Sequence, residues 1–276
     1  MANQAILRSQ GRTHEQVRPI SITYNSFGYA DTTVLIELGD TKVLCSITLS
    51  QGVPPFLKGK GTGWLTAEYA MLPTATQVRT QREAATMKRN DRSIEISRLI
   101  GRALRTMVHL ELLGERTIHV DCDVLQADGS TRVAAITGAS LALIRAVSVW
   151  KERGTVTKSI LAEPVFAISA GMRESTVLVD LDFAEDSTID ADFNFVMTTS
   201  GAIIELQGTA EKEPVSWSDI NRMQVAVMQG SHAVRALFEA SVSSQPAKKT
   251  QSSERNEPRE KGSSLFSLQN RLTRAP

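Results

Sequence analysis

The stretch DCDVLQADGSTRVAAITGAS, residues 121–140, reads as a strand, a polar turn and the start of a helix. Just before and within it, Ile118, Val120, Cys122 and Val124 alternate with His119, Asp121 and Asp123, the period of a strand with two unlike faces. Asp128-Gly129-Ser130-Thr131 is turn chemistry, with Gly129 free to take a positive φ. From Val133 the pattern becomes helical and small, through Ala134, Ala135, Ile136 and Ala139 to Leu141, Leu143 and Ile144. Thr131 and Arg132 therefore stand where a helix begins, and its unpaired N–H groups and dipole favour an anion there. With the Arg132 fork and the Ser130 and Thr131 hydroxyls this makes a phosphate cradle. The same residues also suit an ordinary capped turn with a surface arginine, and the motif alone leaves both readings open.

Upstream, residues 18–25, 33–38 and 42–49 read as three strands, with Gly39-Asp40 as a hairpin signal. The loop QGVPPFLKGKGTG (51–63) superficially suggests a nucleotide-binding P-loop, but its spacing does not fit one. WLTAEYAML (64–72) alternates as a fourth strand. Residues 74–92 form a loop carrying Arg79, Arg82, Lys88, Arg89 and Arg92. A helix opens at Ser93, with Ile96, Leu99, Ile100, Ala103, Leu104 and Met107 as its buried stripe. Arg98, Arg102 and Arg105 fall mostly off that stripe. As a group these basic residues suit a polyanionic backbone; singly, each fits a solvated helix face. Residues 1–17 are polar and are expected to form an arm.

Downstream, the helix that starts at 131 should end near Lys151–Gly154. Residues 165–172, 176–183, 193–199 and 203–208 read as four strands. A last helix starts near Ser216, where Ser216 and Asp219 resemble a capping box. Strands, helix, strand, helix, strands, helix is an α/β (α+β) arrangement in which helices cover mixed sheets. The expected division is a folded domain over 1–242 and a disordered basic tail over 243–276, rich in Ser, Gln, Lys, Arg and Pro.

The totals agree with a folded chain of this kind: 276 residues, 41% hydrophobic, 22% charged, net charge +1. A nucleic-acid partner would need a local basic surface rather than a basic protein. Cys45 and Cys122 both lie in apolar strand-like runs and are expected to be buried free thiols. No run reads as long and apolar enough for a membrane helix, and MANQAILRSQGR lacks the apolar core of a signal peptide, so a cytoplasmic address is expected.

The segment VDLDFAEDSTIDADFN crowds Asp180, Asp182, Glu185, Asp186, Asp190 and Asp192 together. Such a strand and turn can hold a hard divalent cation through one or two carboxylates, or be a solvated loop. A phosphate cradle, an arginine-rich strip and a carboxylate cluster are together the parts that phosphoryl transfer needs.

GKGTGWLTAEYAMLP (59–73), IEISRLIGRALR (94–105), LGERTIHVDCDVLQADGSTR (113–132), ITGA (136–139) and ELQGTAE (205–211) resemble bacterial ribonuclease PH. The similarity runs in one order from about Ile6 to Glu239. It implies two βαβα-type halves packed as one domain and a homohexameric ring, a trimer of dimers. It implies trimming of RNA 3′ ends, notably of tRNA precursors, with inorganic phosphate as co-substrate, Mg²⁺ as cofactor and nucleoside diphosphates as products; the reverse reaction adds nucleotides. Matched motif by motif, phosphate binding falls on Arg92, Ser130, Thr131 and Arg132. The catalytic carboxylates, also the metal ligands, fall on Asp186 and Asp192. Either Asp192 protonates the departing 3′ oxygen or both carboxylates hold Mg²⁺. Arg79, Arg82 and Arg89 would guide RNA. This chain departs from the usual pattern at Ser130, where a glycine is common, and at Asp91, Thr74 and Gln10. Serine at a position needing positive φ would be strained. The competing readings are a non-catalytic RNA-binding ring and a hydrolytic metal-dependent nuclease.

Overall fold

Apolar alternation builds the first sheet. The strands are β1 (Ile20–Tyr24), β2 (Thr32–Leu38), β3 (Thr41–Gln51), β4 (Trp64–Met71) and β5 (Arg116–Gln126), ordered β1-β2-β3-β5-β4. All neighbours are antiparallel except β4 and β5, which are parallel. The helices α1 (Asp91–Arg105) and α2 (Leu110–Leu113) make the crossover between those two. The computed structural model describes residues 8–25, 28–82 and 90–243. Arg89, with its expected RNA contact, and the 244–276 part of the expected tail lie outside the described residues.

The second sheet is antiparallel throughout: β6 (Val165–Arg173), β7 (Thr176–Val179), β8 (Ala191–Thr198) and β9 (Ile203–Ala210), ordered β7-β6-β8-β9. Between the sheets runs α3 (Thr131–Glu152). It presses Gly138 so close to the first sheet that a Cβ would meet Ile36 at 2.7 Å and the Cys45 sulfur at 2.9 Å. It meets the second sheet through the Thr137 hydroxyl, which accepts from the Ala167 N–H at 3.1 Å. Side chains of β6 and β8 divide by the strand period between two cores. Val165, Ala167 and Val196 join the larger one around α3; Phe166, Ile168, Phe195 and Met197 join Met223, Val227 and Phe238 of α5 (Trp217–Ser243). Burial on both faces explains why VFAISAGM shows no polar alternation.

By length and composition α3 could cross a membrane, contrary to the expectation that no run could. Its most apolar window is 78% buried among the described residues, as the middle layer of this fold requires. Cys45 and Cys122 face each other across β3 and β5 as free thiols, sulfurs 3.9 Å apart. Their mutual hydrogen bond and complete burial hold the Cys122 thiol well above its ordinary pKa. The capping box at Ser216 forms: its hydroxyl accepts from the Asp219 N–H at 3.2 Å, and the Asp219 carboxylate accepts from the Ser216 N–H at 3.2 Å.

Three further expectations need correction. The helix expected at Ser93 starts at Asp91, because the Asn90 side chain accepts from the Arg92 N–H at 3.0 Å and caps it. The strand expected over 176–183 stops at Val179: Asp180 takes φ 58°, and Asp182 caps a short helix, α4 (Phe183–Asp186), with Glu185 closing a capping box. The expected N-terminal arm is packed where it is described. Arg8, Arg12 and, just beyond the expected arm, Arg18 are buried against Asp180, Asp182 and Glu185.

Candidate active site

The turn at 128–130 joins the two halves. Gly129, at φ 73°, lies so close to the second half that a Cβ would meet the Leu181 carbonyl oxygen at 2.7 Å. Thr41 accepts from the Asp128 N–H and donates to the Gly129 carbonyl, at 2.9 and 2.7 Å. Ser130 does take the left-handed conformation, φ 56° and ψ 24°. Its hydroxyl donates to the Leu181 carbonyl at 2.8 Å and lies 2.7 Å from the Ser169 hydroxyl, which accepts from the Leu181 N–H at 3.1 Å. These three bonds close a ring. The Ser130 hydroxyl is thus spent on holding the halves together and, as the N-cap residue, makes no side-chain hydrogen bond to the first turn of α3.

That turn opens into a cleft of about 470 Å³, walled by Arg92, Ser130, Thr131, Arg132, Asp186 and Asp192. Arg92 comes from the first turn of α1, Arg132 from the first turn of α3, Asp186 from the end of α4 and Asp192 from the start of β8. The sequence places these residues far apart; the fold brings them together. Arg92, Arg132, Asp186 and Asp192 also line a wider depression beside the cleft, with Thr188, Thr209 and Lys212. They stand at the junction of the two spaces.

The charges here are poorly matched by their neighbours. Arg132 meets Glu95 only at 4.0 Å, and no described carboxylate forms an ion pair with Arg92. Burial, then the charge of Asp192, raises the Asp186 pKa, with Arg92 and Arg132 pulling the other way. Two cations and a carboxyl inclined to keep its proton thus face one space. The rest of the acidic segment is used elsewhere: Asp180, Asp182 and Glu185 on the N-terminal arginines, Asp190 on Lys212 and the Glu174 N–H.

Residues that sequence reasoning passed over support the cleft or line it. Tyr69, 3% exposed, donates its hydroxyl to Thr131 Oγ1 at 2.8 Å. Burial raises its pKa, opposed by the charges of Arg92 and Arg132. Asn194 lies two residues beyond Asp192 on the same face of β8, a position the strand period could have found. Phe183, half-exposed, forms part of the rim.

The basic strip behaves differently. Arg79 and Arg82 are exposed and do not line the cleft, although Thr76, Gln77, Val78 and Thr80 do. Arg102 is held by Glu205, with Nε 3.1 Å from the carboxylate. Arg105 lies 4.4 Å over the Trp64 ring and donates to the Leu65 carbonyl at 3.0 Å. Arg105 braces the fold, and Arg102, though exposed, is paired with Glu205.

The 3′ exoribonuclease family, RNase PH type, matches the chain in two parts: domain 1 over residues 16–148 and domain 2 over residues 163–234. Solved structures share the fold. Rice (Oryza sativa) Rrp46 superposes with a TM-score of 0.70 at 20% identity, covering 86% of this chain and 100% of its own. The Archaeoglobus fulgidus exosome with RNA bound to its active site gives 0.69 at 19% identity, covering 84% and 93%. An archaeal exosome core gives 0.64 at 18%, covering 83% and 90%.

Proposed function

The chain belongs to the RNase PH family of 3′ exoribonucleases, and from that premise we propose that it shortens RNA from the 3′ end by phosphorolysis. Inorganic phosphate is the co-substrate, nucleoside diphosphates are the products, and tRNA precursors are the substrate class, as in the bacterial ribonuclease PH branch it resembles. One observation carries the reading: Arg92 and Arg132 share a cleft with Asp186 and Asp192. Phosphate would sit between the two guanidinium groups, against the first turn of α3.

In the reaction, an oxygen of that phosphate attacks the terminal phosphodiester phosphorus in line. The P–O3′ bond breaks as the P–O bond to the incoming phosphate forms. Asp186 donates its proton to the departing 3′ oxygen, and the proton of the incoming hydrogen phosphate is released to solvent, which reprotonates Asp186 in turn. The incoming phosphate becomes the β-phosphate of the nucleoside diphosphate. Sequence reasoning offered Asp192 for this proton, or both carboxylates for Mg²⁺; burial, then the charge of Asp192, raises the Asp186 pKa and suits Asp186 to carry it. In the alternative to that proton transfer, Asp186 and Asp192, both ionised, fit the small number of carboxylates that Mg²⁺ takes when waters and phosphate oxygens complete its shell. Mg²⁺ bound there would supply charge stabilisation to the transferring group. Ring assembly of a homohexamer and RNA guidance by Arg79 and Arg82 belong to the same proposal.

The test is a short 5′-labelled RNA incubated with Mg²⁺, with and without phosphate. The expected result is stepwise shortening with release of nucleoside diphosphates, stopping when phosphate is withheld. Monophosphates released in phosphate-free buffer would replace phosphorolysis with hydrolysis. No shortening under either condition would leave an RNA-binding ring subunit.

A further inference from the structure

Tyr69 is tied to both helices that carry the cleft arginines. It lies in β4, at the edge of the first sheet. Its backbone N–H donates to Ser97 Oγ at 3.0 Å, and Ser97 in turn donates to the Ser93 carbonyl at 2.7 Å. Both serines belong to α1, whose first turn bears Arg92. An edge N–H that would otherwise seek water is thus closed by the helix covering it. The other end of the residue reaches the start of α3, where the phenol donates to Thr131 Oγ1 at 2.8 Å.

The direction of that bond matters. A threonine hydroxyl has one proton to give and two lone pairs to offer. When Tyr69 fills a lone pair, Thr131 keeps its own proton for another acceptor. Among the described residues no hydrogen bond uses that proton, and Thr131 is 8% exposed at the wall of the cleft. An acceptor inside the cleft is its natural partner.

We infer that Tyr69 is a positioning residue of the anion site: it turns the Thr131 hydroxyl proton onto a phosphate oxygen and fixes the span between the starts of α1 and α3. The inference rests on the phosphorolytic reading and names a residue through which that site recognises phosphate rather than RNA.

The test uses Tyr69→Phe, which keeps the buried ring and removes only the hydroxyl, together with Thr131→Val and the double variant. Nucleoside diphosphate release is followed against phosphate and against RNA concentration, with thermal unfolding as a parallel measurement. Tyr69→Phe should raise the KM for inorganic phosphate about three- to tenfold, the worth of one hydrogen bond, and leave the KM for RNA unchanged. The double variant should be no worse than Thr131→Val alone, since Tyr69 acts through that hydroxyl. A Tyr69→Phe protein with lowered unfolding temperature but wild-type phosphate KM would overturn the inference, as would full additivity in the double variant. If the wild type ignores phosphate, the phosphorolytic reading and this inference fall together. If the wild type is phosphorolytic and Tyr69→Phe is indifferent, only the inference falls.

Discussion

Two clusters of the same residue types lie within a few residues of each other, and they are built in opposite ways. Around Asp180, Asp182 and Glu185, each of the three guanidinium groups meets a carboxylate. Arg18 grips Asp180 through Nε and Nη2 at 2.9 and 2.7 Å; Arg8 grips Glu185 through Nε and Nη2 at 2.7 and 2.8 Å. Arg12 bridges Asp182 and Glu185 at 3.3 and 3.2 Å. Around Asp186 and Asp192, the arginines have no such grip and line an open cleft. The closed cluster binds the N-terminal segment to the second half and anchors α4; the open one is left for something else to complete. One acidic stretch has been sorted by its neighbours into a clamp and a site.

The comparison breaks most visibly at its closed end. Asp180→Ala leaves Arg18 buried without its bidentate partner. Breaking a buried pair on one side costs about 3–5 kcal/mol, which urea unfolding should register as a large drop in midpoint. An unchanged midpoint would mean the clamp holds nothing. Arg132→Ala attacks the open end. Its nearest carboxylate contact is long, and exposed pairs are worth about 0–1 kcal/mol, so the unfolding midpoint should barely move. Phosphorolysis should fall by about 10²–10³, the usual loss when one donor to a developing charge is removed. If stability fell and the rate survived, the two clusters would have been assigned the wrong way round.

Acidity separates them next. Asp182 is buried, which raises its pKa, but hydrogen bonds from Ser9 and the Glu185 N–H, with Arg12 and Arg18, carry it below the ordinary carboxyl value. A depressed carboxylate contributes stability that is present above its unfolded pKa and lost as pH falls through the folded one. Acid titration of stability should therefore show this loss, and Asp182→Asn should blunt it. Asp186 is shifted the other way, so a rate that needs its proton should fall as pH rises, with a midpoint above the ordinary carboxyl range. Glu211 adds to that upward shift; Glu211→Gln should move the falling limb to lower pH without abolishing activity. A limb that stays put would argue against Asp186 as the acid.

Much of this could be read from the residues, for a physical reason. Strand alternation and the 3.6-residue stripe are local, so β1 to β6, the body of α1 and the start of α3 fell where the pattern placed them. The site residues were legible because helix starts and acidic turns are also local signals, although their convergence belongs to tertiary structure. What escaped was decided at a distance. Arg8, Arg12 and Arg18 look like a solvated polar lead-in until Asp180 and Glu185 arrive about 170 residues later. Tyr69 looks like one more apolar strand position, because nothing nearby in sequence announces that its hydroxyl will meet Thr131. Arg102 and Arg105 suggested a polyanion surface, but Glu205 neutralises the exposed Arg102 and the Trp64 ring holds Arg105.

The subtlest test lies at Ser130, where the clamp side and the open side touch. A serine at φ 56° carries about 1–2 kcal/mol of left-handed strain, and its hydroxyl recovers part of that through Ser169 and the Leu181 carbonyl, each bond worth about 0.5–1.5 kcal/mol. Ser130→Gly removes strain and bonds together, so the unfolding midpoint should change little. Ser130→Ala keeps the strain and loses the bonds, so it should be the less stable of the two. Because the hydroxyl is spent on the second half, phosphate KM should be indifferent to both, provided the backbone N–H at the helix start stays in place. A phosphate KM that rises equally in both variants would instead put that hydroxyl on the anion, and the boundary between clamp and site would move by one residue.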